Sequence, residues 1–480
     1  MREAPKFPAF TAPILLLALV QAASAQEKPL TTTKEMEQTV RLTVTGETDL
    51  DYVWRRQEIT AFTKGVRGTG APGASDSENS FEGFVALRLT AELSDKVSAV
   101  VELGTKRVDG GVIHYFGAGN ATASGGTALP IQLREAHVTL SEFLMTELRV
   151  EMGISTWGFD LRGKGESMAF DPRHSQRFIR NVNPAGDGPA TLGARASDPE
   201  EFEPMGFWVR YGRELFSLDL VALPAVIEGG SVHNDESFYA VDLLYKFDSK
   251  NSRFGVILSV TDDPGGRSTI FTYGGGVDWK GMESLEAYVE FYFQNGWNNG
   301  PLPGVTPVKV GAYAFQAGAE YQLPGDLKPW VGANLTYYSG DGDAAANGKS
   351  SAFNSYENVH GLMILEDMYL GFDWDTNYRA VKLSGGVALT TARANDLKIW
   401  GILANTQTVK TARFANETTH KLGNELDVHV DWEMTSQVAV NLGIGFLFGS
   451  KVLEDSMGGP GANNARRQTL LFTLGTDLKF

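Results

Sequence analysis

The sequence predicts an all-β protein, a transmembrane up-and-down antiparallel β-barrel of about 18 strands with long extracellular loops and short periplasmic turns. Three observations predict it. Apolar and polar residues alternate with a period of two in segment after segment, tight turns alternate with long polar connections, and the chain closes on one more alternating strand that ends in Phe480.

Residues 1–25 carry Arg2 and Lys6, an apolar run from Ile14 to Val20, and Ala23-Ser24-Ala25. That is the order of a secretory signal peptide, so cleavage before Gln26 and export are expected. Residues 26–39 then form a periplasmic segment and 40–480 the barrel. No later apolar run approaches the roughly 20 residues a spanning helix needs.

The strand pattern is clearest in two places. From Glu236 to Phe247, Tyr239, Val241, Leu243, Tyr245 and Phe247 share one face, while Glu236, Phe238, Ala240, Asp242, Leu244 and Lys246 share the other. From Glu425 to Met434, Leu426, Val428, Val430, Trp432 and Met434 oppose Glu425, Asp427, His429, Asp431 and Glu433. A helix would smear both patterns around its circumference. In the last strand Leu470, Phe472, Leu474, Leu478 and Phe480 oppose Thr473, Gly475, Asp477 and Lys479.

Short turns are expected at Ser94-Asp95, Ser141 to Thr146, Gly212 to Glu214, Asp248 to Asn251, Lys280 to Glu283, Pro324 to Asp326, Asp375 to Asn377 and Thr435-Ser436. Long connections fall at 57–80, 108–130, 158–204, 224–235, 262–269, 295–310, 340–366, 392–421 and 450–465. Their alternation assigns the turns to the periplasmic rim and the loops to the outside. Closure is required because an open strand edge in lipid leaves N–H and C=O groups unpaired, at several kcal/mol each. Tyr245, Phe247, Phe254, Trp279, Tyr321, Trp330, Trp374, Tyr378 and Trp432 lie beside the turns, as expected of an interfacial aromatic girdle. A soluble sandwich or propeller is the competing fold; no blade repeat is visible.

Composition excludes other classes. With no cysteine the chain is not a disulfide scaffold, and a net charge of -16 lacks the basic footprint of nucleic-acid binding, so no nucleic-acid partner is expected. His137 and His429 stand in no nucleophile–base motif, so no enzymatic activity or cofactor is expected. His174 has no metal-ligand spacing, and Asp341-Gly342-Asp343 lacks the spacing and Glu of a calcium loop and reads as a turn; no metal site is expected.

An interior of this strand number is wide enough for an aqueous channel. The inferred wet face carries Glu82, Arg88, Glu102, Arg149, Glu151, Asp219, Asp242 and Asp278. It continues with Glu286, Glu290, Glu320, Lys382, Asp427, Asp431 and Glu433. Basic residues gather in 131–154 and the third loop (Arg134, Arg149, Arg162, Lys164, Arg173, Arg177, Arg180), and acidic ones in the second half. If 158–204 folds inward, opposed charges create a transverse field that selects polar or anionic solutes.

The final Phe480 resembles the assembly signal of bacterial outer-membrane barrels, which implies the barrel-assembly machinery as a partner and an outer-membrane location against lipid bilayer and lipopolysaccharide. The segments LREAHVTLSEFLMTELRVEMGISTWGFDLR, LTYYSGDGDA, Met368 to Trp374 and GNELDVHVDWEM are together similar to the alginate-export type of outer-membrane porin. That resemblance implies an 18-stranded barrel passing anionic polysaccharide or other solutes through an arginine-lined constriction, with carry-over to Arg134, Glu135 and Arg149. A general diffusion or phosphate-selective porin is the alternative, and an adhesion barrel with a closed lumen a third reading.

Overall fold

The computed structural model describes residues 40–57, 76–105, 131–155, 159, 161–162, 168, 178–180, 200–202, 205–226, 236–263, 268–298, 308–341, 348–353, 361–366, 376–389, 397–414, 417–449 and 468–480. The expected signal segment 1–25 and the segment 26–39 lie outside the described residues.

The strands are β1 (Arg41–Gln57), β2 (Asp76–Ser94), β3 (Val97–Thr105), β4 (Ile131–Leu140), β5 (Leu148–Ile154), β6 (Phe178–Arg180) and β7 (Glu200–Phe202). There follow β8 (Met205–Gly212), β9 (Phe216–Val226), β10 (Glu236–Lys246), β11 (Arg253–Asp263), β12 (Ser268–Met282), β13 (Leu285–Asn298), β14 (Val308–Gln322) and β15 (Trp330–Tyr338). The last are β16 (Lys349–Ser350), β17 (Tyr378–Leu389), β18 (Leu397–Phe414), β19 (Glu417–Thr435), β20 (Val438–Phe448) and β21 (Gln468–Lys479). Eighteen of them form one closed antiparallel barrel. The two-residue β16 adds a parallel bridge to β14, and β6 pairs with β7 in a separate two-stranded sheet.

Closure is made by β1 against β21, in register from Glu47↔Lys479 to Gln57↔Thr469. The final residue takes part. Phe480 N–H donates to Gly46 O at 2.9 Å and Gly46 N–H to Phe480 O at 2.7 Å, while the Phe480 ring covers Gly46, where a Cβ would collide with it.

Alternation sorts the side chains as the sequence predicts. Tyr239, Val241 and Tyr245 are exposed on the outer wall, whereas Phe238, Ala240 and Asp242 are buried on the inner one. Likewise Leu426, Val428 and Trp432 face outward and Glu425 and Asp427 inward. Exposed apolar side chains outside and buried polar ones inside are the reverse of a soluble core, and match a wall bathed in hydrocarbon. No helix among the described residues is long and apolar enough to cross a membrane.

Three expectations need correction. Asp375 to Asn377 is not a tight periplasmic turn: Tyr338 pairs directly with Tyr378, so 339–377 is one long connection on the loop side. The periplasmic connection there is 390–396, between Leu389 and Leu397. The expected loop 392–421 is instead largely strand, with β18 and β19 paired from Leu397↔Trp432 as far as Phe414↔Glu417; the polar outward residues Asn405 and Gln407 made strand read as loop. Finally, Trp330 and Tyr378 do not join the girdle, because both lie on the inner face. Trp374 lies outside the described residues. Tyr245, Phe247, Phe254, Tyr321 and Trp432 are exposed on the outer wall. A second aromatic cluster rings the loop side, where Tyr273 stacks on Phe293 at 5.6 Å and Tyr313 on Tyr337 at 5.4 Å.

The turns are pinned locally. Asp248 Oδ1 accepts the amides of Lys250 and Ser252 at 2.9 and 2.8 Å, and the Ser252 contacts first, then Lys250, hold its carboxyl below the ordinary range.

Candidate functional site in the barrel lumen

The inner wall of β2 to β10 carries a continuous charged belt. Arg88 on β2 donates to Glu102 at 3.2 Å and lies 2.9 Å from Glu135; Arg149 on β5 donates to Glu151 at 2.8 Å. Arg210 on β8 holds Asp219 with two bonds, at 2.8 and 2.6 Å, and Arg149 faces Arg210 across the strand pair. The arginine side chains are 38%, 48% and 39% exposed; their partners Glu102, Glu135, Glu151 and Asp219 are 8%, 3%, 3% and 2% exposed. A solute beside this wall therefore meets guanidinium groups, with the carboxylates behind them. Fork geometry suits them to planar oxyanions. Trp208, its ring 4.5 Å from the Arg210 guanidinium, supports that side chain.

Opposite, the barrel is narrowed by two segments that fold against its wall. In the third loop, Phe159, Leu161 and Met168 are fully buried. Leu161 packs where β11 and β12 have Gly255 and Gly276; a Cβ at either would come within 2.8 Å of it. Polar ties complete the seat: the Met168 amide donates to Glu290 at 3.3 Å, Tyr338 donates to Met168 O at 3.0 Å, and Lys280 donates to Arg162 O at 3.4 Å. The Arg162 guanidinium lies 3.8 Å from the centre of the Tyr288 ring.

The second segment, 361–366, was not foreseen. Its backbone is held by carboxylates, one amide after another. Gly361 and Leu362 donate to Glu366 at 3.0 and 3.1 Å, Met363 to Asp427 at 3.1 Å, and Ile364 and Leu365 to Glu425 at 2.5 and 3.0 Å. Glu366 also accepts from Tyr378 at 2.9 Å and from Lys382 at 2.6 Å. Gly443 and Gly445 on β20 leave room for Met363 and Ile364. The available signal was Gly361 to Leu365, an apolar run inside a polar connection.

Part of the acidic half of the expected lumen is thus engaged. Glu290 and Asp427 are fully buried beneath the two segments and do not form an open wall facing the arginines. Asp278 is buried beside Lys280 at 3.1 Å. Asp431 accepts Trp400 Nε1 at 2.6 Å, Trp400 stacks on His429 at 3.9 Å, and Lys398 Nζ lies 5.4 and 5.3 Å from the Trp330 and Trp400 rings. Glu286, Glu320 and Glu433 occupy inner-face positions near the periplasmic end of β13, β14 and β19. Asp341 accepts the Ser351 amide at 3.1 Å. Arg134 sits at the bulge of β4. The side chains of Glu82, Arg134 and Arg180, and all of Lys164, Arg173, His174 and Arg177, lie outside what the structure describes. Arg210 was missed by the sequence reading, although its two-residue spacing from Trp208 and its place across a tight turn from Asp219 are readable there.

No protein-family model and no curated protein sequence matches the chain. Solved structures do. Pseudomonas aeruginosa OccK8 (OprE) superposes with a TM-score of 0.52 at 12% identity, covering 91% of this chain and 98% of that one. Acinetobacter baumannii OccAB4 gives 0.51 at 11% identity, over 91% and 98%. Pseudomonas aeruginosa OpdK with vanillate gives 0.50 at 11% identity, over 91% and 99%. The chain has the 18-strand barrel fold of these proteins, and at such identities the likeness is one of fold.

Proposed function

We propose that the chain is a bacterial outer-membrane channel through which small polar or anionic solutes diffuse passively. One observation carries the reading: Arg88, Arg149 and Arg210 present exposed guanidinium groups along one side of the lumen, each anchored by a buried carboxylate. A cation passing along that wall meets like charge first. An anion meets donors that are already oriented, and the paired carboxylates keep its binding weak enough for release. The seats of Phe159, Leu161 and Met168 and of 361–366 narrow the opposite side, which favours small solutes over an anionic polymer. The vanillate in the OpdK structure is a small carboxylate of this kind.

Residues 1–25 act in export and Phe480 in recognition by the barrel-assembly machinery, with the finished wall set in bilayer and lipopolysaccharide. Of the expected constriction, Arg88, Arg149 and Arg162 contribute cations, Glu135 and Glu151 orient them, Glu290 and Asp427 hold the inward segments, and Glu286, Glu320, Asp431 and Glu433 line the periplasmic mouth. Arg134, Arg173, Arg177 and Arg180 belong to the same basic group of the sequence, and we propose that they add to its positive charge. No enzymatic step or cofactor belongs to this reading.

Planar-bilayer recording of the processed chain tests it. A steady open current whose reversal potential in a salt gradient has the anion sign is expected, with inhibition by phosphate or a small carboxylate stronger than by an oligouronate. Stronger block by the oligouronate would move the reading toward polysaccharide export, and a silent membrane would leave an adhesion barrel.

A further inference from the structure

The lipid-facing wall should be apolar, yet on one sector it is not. On β14 to β19 the charged side chains on the outer face among those described are Lys309, Lys349, which pairs with it, Arg379 and Lys421, all cationic and all toward the loop side. In a chain of net charge -16 that sign is not a compositional accident.

Tyr337, Arg379, Gln407 and Lys421 stand opposite one another in a single cross-strand row on β15, β17, β18 and β19. Arg379 and Lys421 are exposed, and lie two strands apart, about 10 Å at the usual strand spacing. Arg379 donates to Gln407 at 2.5 Å, Gln407 to Asn405 at 3.1 Å and Asn405 to Asn424 at 2.7 Å, a chain of amides that fixes the guanidinium. Beside it the Tyr313 and Tyr337 hydroxyls meet at 3.1 Å. Directly below come Val381, Leu383, Leu403 and Leu426, exposed apolar side chains. The row therefore sits where hydrocarbon gives way to headgroups. A cation at the bilayer midplane is costly, whereas at the interface it is nearly neutral and can meet a phosphate.

We propose that this row is a docking site for the phosphate headgroup of an outer-leaflet lipid, the phosphorylated glycolipid. Two cations two strands apart receive phosphate oxygens, the amide chain supplies neutral donors, and the apolar side chains below take the acyl chains. The inference rests on the outer-membrane reading above, but not on what passes through the lumen.

Native mass spectrometry of the full processed protein in detergent, with added bisphosphorylated lipid A as the probe, tests it. The expected result is a retained one-to-one adduct that falls roughly fivefold for each cation removed, about twenty-fivefold in Arg379→Gln with Lys421→Gln. It should survive the swap Arg379→Lys with Lys421→Arg and fail with dephosphorylated lipid. Bilayer conductance of the double variant should stay at the parent value, which separates this site from the channel reading and shows that the barrel is folded. Equal adducts on parent and variant, or equal affinity for the dephosphorylated lipid, would overturn the proposal while leaving the channel reading standing.

Discussion

Arg210 shows how one side chain acquires a role from its neighbours. Two short bonds to a buried Asp219 fix the guanidinium plane and leave its outer edge in the lumen. Removing Arg210 alone leaves a buried carboxylate unpaired, which costs about 3–5 kcal/mol in buried pairs and somewhat less here because the arginine is partly solvated. Replacing both, as Arg210→Gln with Asp219→Asn, should preserve the barrel and lower anion preference about twofold, read as a reversal potential displaced toward the cation side. Facing is equally a matter of single residues. Val430→Arg points a charge at hydrocarbon and should cost up to about 2–4 kcal/mol in urea unfolding from bilayers, whereas Asp431→Asn, on the lumen side, should cost little and change conductance only. The inner and outer faces of β10, β19 and β21 were legible from the sequence because the period of two is enforced by lipid on one side only. The pairing behind each arginine was not legible, since Asp219 and Arg210 become neighbours only once the register is set.

At the scale of elements, the two inward segments illustrate how the wall prepares a seat. Three carboxylates, Glu366, Glu425 and Asp427, receive five successive backbone amides, and glycines on β20 clear the space beside them. Glu425→Gln with Asp427→Asn weakens those bonds and should loosen 361–366, giving larger or noisier single-channel conductance with unchanged thermal stability of the barrel strands. Gly445→Val should do the same by filling the seat. The turn 248–252 depends on an ionised Asp248. Its carboxyl is depressed, so the contribution is present above the ordinary carboxylate range and is lost as pH falls through the lower folded value; amide exchange of 248–252 should rise only on strong acidification. The sequence distinguished strands from loops wherever hydrocarbon imposed alternation. It failed over 392–421 because beyond Leu403 the outward residues of β18, Asn405 and Gln407, are polar and break the apolar half of the alternation, and over 361–366 because an inward loop buries apolar residues without any strand period.

For the molecule as a whole, eighteen strands close through β1 and β21, with Phe480 forming the last rung of the seam. The strand number was readable because the misplaced turn at 375–377 and the misplaced loop at 392–421 replaced one true turn and one true loop, leaving the alternation intact. Within that cylinder Arg88, Arg149 and Arg210 project and their carboxylate partners lie behind them, the arrangement on which the proposed anion preference rests. Single-channel recording of the processed protein under a potassium chloride gradient puts that arrangement to the test. An anion-sign reversal potential that shifts toward cations when Arg88, Arg149 and Arg210 are all replaced by Gln is the expected result; a cation-selective parent channel, or a selectivity indifferent to those three residues, would contradict it.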